Sequence, residues 1–283
     1  MIVDAHQHFW DPARGDYGWL KPENPIHRVY LPADLRPLLD EAGVQATILV
    51  QAAPTPEETD YMLGLARETP WILGVVGWID LLADDAVEQV RHRARDPLFL
   101  GVRPMLQDLE DPDWIRQRAL DPALQAIAAE GLVFDALVLP HQIDAIAELA
   151  VRHPSLPIVL DHAAKPHLGE VGAMGGWASA IATLARAPNV ACKVSGLLTE
   201  LRPGGSGEDV VRAIATLFDL FGPRRLLWGS DWPVVTLAGS YQGWFELARD
   251  AIAAKDPDAV PAVMGGNALC IYRPDQAGRH IRA

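Results

Sequence analysis

Eight short apolar runs punctuate the chain, and segments with helical period lie between them. The runs are Ile2–Ala5, Ala46–Gln51, Ile72–Ile79, Leu98–Met105, Leu132–Leu139, Pro157–Asp161, Val190–Val194 and Arg225–Gly229. Most are continuously apolar rather than alternating, the pattern of strands covered on both faces in a parallel sheet. Helices are expected at Pro32–Ala42, Pro56–Glu68, Asp84–Arg95, Pro122–Glu130, Gln142–Arg152, Gly176–Ala187, Glu208–Phe221, Tyr241–Ala254 and Asp258–Cys270. The first has Gly43 as a stop signal, and the second has Thr55 as a cap with Glu57 and Glu58 in its first turn. Alternating strands and helices imply βα units. An open doubly wound sheet and a closed (β/α)8 barrel both satisfy that rhythm. The open sheet usually has fewer strands and often carries a glycine-rich phosphate loop after the first. Here the first strand runs into His6-Gln7-His8, and the chain contains neither G-x-G-x-x-G nor a P-loop. A length of 283 residues with no composition break fits one TIM barrel, so we expect a single domain over 1–283.

Composition removes whole classes of function. With 49% hydrophobic residues the chain can offset its ordering entropy, which excludes disorder. A net charge of -13 argues against sequence-independent nucleic-acid binding, which needs a basic footprint. No stretch approaches the ~18 apolar residues of a membrane helix. The opening MIVDAHQHFW lacks the apolar core of a signal peptide. Cys192 and Cys270 have the spacing of neither a metal knuckle nor a disulfide framework. A cytoplasmic protein is therefore expected, with homo-oligomerisation left open. Nine Trp against 6 Phe and 5 Tyr is an excess suited to walling a pocket.

In a barrel the site lies at the C-terminal ends of the strands. His6 and His8, two apart on strand one, would face the same side. Two converging imidazoles suit metal ligation or carbonyl polarisation. Strand eight runs into Gly229-Ser230-Asp231-Trp232-Pro233, which exposes Asp231 as a general base or a metal ligand. His162 leaves strand six at the same rim. Asp161 alternates with it and is expected to point away, towards the helices. Lys165 follows in the loop. Arg103 on strand four and Lys193 on strand seven are charges in apolar strands and must find a partner or a ligand. Gln51 ends strand two. His141, His153, His92, His27, His167 and the tail residue His280 carry weaker signals.

Taken together, these residues identify a family. The stretches DAHQHFW, ILVQA, VVGWID, VLDHAAKP, CKVSGL and LLWGSDWPV resemble the sugar-lactonase group of the amidohydrolase superfamily, across roughly residues 1 to 272. The resemblance implies a (β/α)8 barrel that hydrolyses an aldono-lactone, such as L-fuconolactone or L-rhamnonolactone, to the aldonate. It implies Asp231, His162, His6 and His8 as catalytic residues. Gln51, Arg103, Lys165, Lys193 and Trp232 would be substrate-binding positions by that resemblance, and Trp19 is expected beside them as a wall residue because indole suits the CH face of a sugar. Strand five shows no His and strand four no bridging carboxylate, which argues against a binuclear centre. A single divalent ion on His6, His8 and Asp231, zinc as first choice, stands beside a metal-independent mechanism. Two other readings are a decarboxylase of an aromatic or unsaturated acid and a non-catalytic sugar-acid binding barrel.

Overall fold

In the computed structural model, which describes residues 1–170 and 172–272, all eight expected strands form one parallel sheet in sequential order. They are β1 (Val3–Gln7), β2 (Ala46–Val50), β3 (Ile72–Gly77), β4 (Phe99–Val102), β5 (Val133–Ala136), β6 (Ile158–Leu160), β7 (Val190–Val194) and β8 (Leu226–Trp228). Every strand residue is buried, which explains the continuous apolar runs. The helices are α1 (Pro32–Ala42), α2 (Pro56–Glu68), α3 (Ala86–Ala94), α4 (Asp121–Ala129), α5 (Ile143–Arg152), α6 (Ala173–Leu184), α7 (Gly207–Phe221), α8 (Tyr241–Lys255) and α9 (Asn267–Tyr272). The protein is a TIM barrel. His280 lies outside the described residues.

Local chemistry sets the helix starts. Thr55 Oγ1 accepts from the Glu58 amide at 3.1 Å, with Pro56 as first helical residue of α2. Ser206 and Asp209 form a capping box at α7. The stretch expected as one helix over Asp258–Cys270 is broken: a π-helical turn at Ala262–Gly266 precedes α9. Gly265 is the reason, because a side chain there would meet the β1 backbone, with Val3 N 2.9 Å away.

The core has two shells. A large outer cluster joins strands to helices through Leu49, Val75, Phe134, Leu160 and Trp228. A smaller inner cluster fills the barrel with Ala5, Ile48, Val76, Val133, Val159 and Leu227, and α9 joins it through Ala268, Leu269 and Tyr272. The barrel closes between β1 and the exit of β8. The Asp231 amide donates to His6 O at 2.7 Å, and the His8 amide donates to Trp232 O at 2.7 Å. Gly229 is required at this seam, since a Cβ there would lie 2.6 Å from His6 Cβ.

Candidate active site

His6, His8, His162 and Asp231 converge where the seam reaches the barrel mouth. The pairing of β1 with β2 slips between Asp4 and Gln7, and His6 sits within that irregularity, its ring turned into the barrel. His8 Nδ1 lies 2.7 Å from Val50 O. A carbonyl can only accept, so Nδ1 carries a proton. His8 Nε2 lies 3.2 Å from His6 Nε2 and 3.2 Å from Asp231 Oδ1, and His6 Nε2 lies 3.6 Å from the same oxygen.

Asp231 is buried, which alone would raise its pKa. Nearby His162, His8 and His6 outweigh burial and hold it well below the usual carboxylate range. It is therefore ionised. Burial pushes His162 down to about 4 and His6 well below its ordinary value, so both rings are neutral at pH 7. His162 Nδ1 is 2.8 Å from Ser195 Oγ, and its Nε2 lies 3.8 Å from Asp231 Oδ1.

His162 owes its placement to an unusual turn. His162, Ala163, Ala164 and Lys165 have φ of 50, 51, 57 and 53°, four successive left-handed residues without glycine. Each costs about 1–2 kcal/mol, and such strain concentrates at functional sites. Trp177 Nε1 donates to Ala163 O at 2.8 Å and helps hold the turn. Gly196 leaves room for it, because a Cβ there would lie 2.5 Å from His162 Nδ1. Asp231 is also left-handed, with φ of 57°.

Below the mouth lies a buried ionic layer. Lys193 Nζ reaches Asp135 Oδ2 at 2.5 Å, Asp161 Oδ1 at 2.9 Å and His6 Nδ1 at 3.1 Å. Arg103 Nη1 donates to Asp161 Oδ2 at 3.1 Å, and Arg103 also bonds Gln51 O. Tyr272 of α9 donates to Asp135 at 2.7 Å. Burial would raise both carboxyls. Lys193, His6 and Arg103 nonetheless hold Asp161 well below the ordinary range, whereas Asp135 ends raised to about 6.

Asp161 thus corrects the expectation from alternation. It points into the barrel, because β6 ends at Leu160 and the period-two rule ends with it. Asp135 was missed by sequence reasoning. The argument applied to Arg103 and Lys193 would have found it, since an acid inside the apolar run Val133–Ala136 needs a partner at equal depth. Asp4 was also missed. It accepts from the Ser230 amide at 2.8 Å and from Tyr241 Oη at 3.1 Å, and burial raises it to about 6.

A cavity of about 170 Å³ opens above the cluster, bordered by His8, Trp19, Arg103, His162, Lys165 and Asp231 among others. Gln51, Lys193 and Trp232 do not border it. Gln51 Nε2 donates to Arg103 O at 2.7 Å. Lys193 belongs to the ionic layer. Trp232 packs edge-on against Phe9 and Tyr30. Of the expected binding residues, the structure brings Trp19, Arg103 and Lys165 to the cavity wall.

Two imidazole nitrogens and one carboxylate oxygen crowd together at His6, His8 and Asp231, close enough to share one ion. This donor set suits a divalent ion such as zinc. Among the described residues no helix is long and apolar enough to cross a membrane.

Comparison with known proteins agrees with this geometry. The family model described as Amidohydrolase matches residues 3–273. An L-fucono-1,5-lactonase of Burkholderia ambifaria is 46% identical over 282 residues, covering 97% of this chain and 96% of that protein. An L-fucono-1,5-lactonase of Burkholderia multivorans is 38% identical over 303 residues, covering 99% of each. A solved amidohydrolase from Burkholderia multivorans with bound Zn has a TM-score of 0.91 and 35% identity, covering 96% of this chain and 99% of that one.

Proposed function

The chain belongs to the amidohydrolase family, and from that membership we propose that it opens the lactone of a sugar acid, of the L-fucono-1,5-lactone type, to the aldonate. The observation that carries this reading is the convergence of Asp231, His8 and His162 on the wall of one small cavity, with the Asp231 carboxyl held well below the ordinary range.

His6, His8 and Asp231 would hold one divalent ion, zinc first. When bound, such an ion supplies positive charge that polarises a carbonyl oxygen and acidifies water. The protein's own groups do the rest. Asp231 takes a proton from the attacking water, whose oxygen bonds to the lactone carbonyl carbon. The tetrahedral adduct collapses, its bond to the ring oxygen breaks, and Asp231 returns the proton to that oxygen. Neutral His162, oriented by Ser195, donates a hydrogen bond to the developing oxyanion. Arg103 and Lys165 border the cavity and hold hydroxyl or carbonyl oxygens of the substrate. We read the chain as one domain in the cytoplasm, where its free thiols Cys192 and Cys270 would stay reduced.

The test is Asp231→Asn, because Asn tolerates the left-handed backbone at this position. Acid release from a panel of aldonolactones, with and without chelator, should fall about 10²–10⁴-fold in the variant. Its circular dichroism should match wild type. Near-wild-type turnover in the variant would refute Asp231 as the base.

A further inference from the structure

A second and larger cavity, of about 660 Å³, lies beside the catalytic one and shares Trp19, Met105 and Asp108 with it. The reaction derived above makes no use of it. Its size falls in the range of small-molecule sites. Trp19, Trp78 and Trp114 give it three indoles, and Leu82 and Leu109 form its rim. Trp19, Leu82 and Leu109 are 37, 40 and 38% exposed, so three exposed large apolar side chains gather around one concavity.

Several of the polar groups in this wall already have partners. Trp19 Nε1 donates to Ala52 O at 2.7 Å, which fixes the ring and leaves only its apolar surface for contact. Trp10 packs edge-on against Trp19 at 5.3 Å and braces it further. Asp16 pairs with Arg14 at 2.7 Å. Asp80 Oδ1 accepts from the Leu82 amide at 3.0 Å, and Asp108 Oδ1 accepts from Gln107 Nε2 at 3.2 Å. Among the described residues no basic side chain lines the cavity, so there an anionic occupant would meet carboxylates as the only charged groups. A hydrocarbon would find indole and leucine.

Resting on the lactonase reading above, we propose that this cavity is a subsite for an apolar substituent, alkyl or aryl, carried on the ring that occupies the catalytic cavity. The shared wall at Trp19 and Met105 sets the path from ring to chain. The substrate class then extends from plain aldonolactones to lactones with a hydrocarbon arm.

The test separates binding from turnover. The probes are 2-alkyltetrahydropyrans from methyl to pentyl, which keep ring and chain but have no bond to hydrolyse. Their affinity is read by quenching of tryptophan fluorescence. Burial of each added methylene should tighten binding about fourfold. Leu82→Asp and Leu109→Asp, both at the exposed rim and outside the wall of the catalytic cavity, should flatten that dependence while leaving hydrolysis of plain aldonolactones unchanged. Trp78→Ala should flatten it as well. Affinity independent of chain length in wild type would overturn the proposal. So would a dependence that survives all three substitutions, because the chain would then lie elsewhere. Sedimentation showing a dimer that Leu82→Asp disperses, together with no probe binding, would assign the face to a second copy and also overturn it. Failure to open any aldonolactone, with the chain-length dependence intact, would refute the lactonase reading alone.

Discussion

Replacing Lys193 with Met would test the buried ionic layer that supports His6. Two cations, Arg103 and Lys193, face two carboxylates, Asp135 and Asp161, deep inside the barrel. Removing the ammonium leaves Asp161 with Arg103 but strands Asp135, whose remaining donor is Tyr272 Oη. Breaking a buried pair from one side typically costs about 3–5 kcal/mol. Proton uptake by Asp135 limits that cost. With Lys193 present its pKa is already raised to about 6, first by burial and then despite the ammonium. A raised carboxyl stabilises the fold below its unfolded value of 3.8, and that contribution is lost as pH rises through the folded pKa. Without Lys193 the folded pKa climbs further, so the variant keeps losing stability above pH 6 where wild type has levelled off. The gap between the two should be small at pH 5.5 and grow by about 1.4 kcal/mol per pH unit above 6. At pH 8 it should reach roughly 3 kcal/mol, a fall in Tm of about 6–12 °C for a domain of this size. Thermal unfolding followed by circular dichroism at pH 5.5 and 8 measures it. The double variant Lys193→Met with Asp135→Asn should recover part of the loss at pH 8, because Asn stays neutral and still accepts from Tyr272. A gap that does not change with pH would refute the reasoning. A double variant no more stable than the single one would do the same.

Two other outcomes follow from single contacts. Ser195→Ala removes the partner of His162 Nδ1 at 2.8 Å and should lower kcat about tenfold with KM little changed and the fold intact; an unchanged kcat would show that the contact does not orient the ring. Glu58 is held against the Ala52 and Ala53 amides, and burial raises it to about 7, so its own contribution to stability should fall by roughly 3 kcal/mol as pH climbs from 4.5 to 7. Glu58→Gln should remove that share from a slope to which Asp4 and Asp135 also contribute, and chemical denaturation across the same pH range would expose an unaltered slope.

The strand order was readable because strands buried on both faces leave uninterrupted apolar runs in the sequence. Their ends were read less well. Leu132–Leu139 and Leu98–Met105 overran Val133–Ala136 and Phe99–Val102, since the chain stays buried for some residues after it leaves the sheet. The convergence of His6, His8 and Asp231 was legible from position, because strand exits in a barrel face one another. Asp161 was misplaced for want of the left-handed turn, which no residue in Asp161–Lys165 announces by type. Gln51, Lys193 and Trp232 were assigned to the pocket because a polar or aromatic residue near a strand exit looks the same in sequence at the rim and one layer below it. Depth along a strand is set by the stagger of its neighbours, which local composition does not encode.

The seam that closes the barrel has a consequence for how the protein comes into being. His8 and Asp231 are 223 positions apart, and the amide bonds that zip β1 to the β8 exit are those that bring their side chains together. During synthesis β1 emerges first, yet it must wait for almost the whole chain before its last neighbour exists. Hydrolytic competence is therefore the final property acquired, and it arrives in the same event that removes the last open sheet edge.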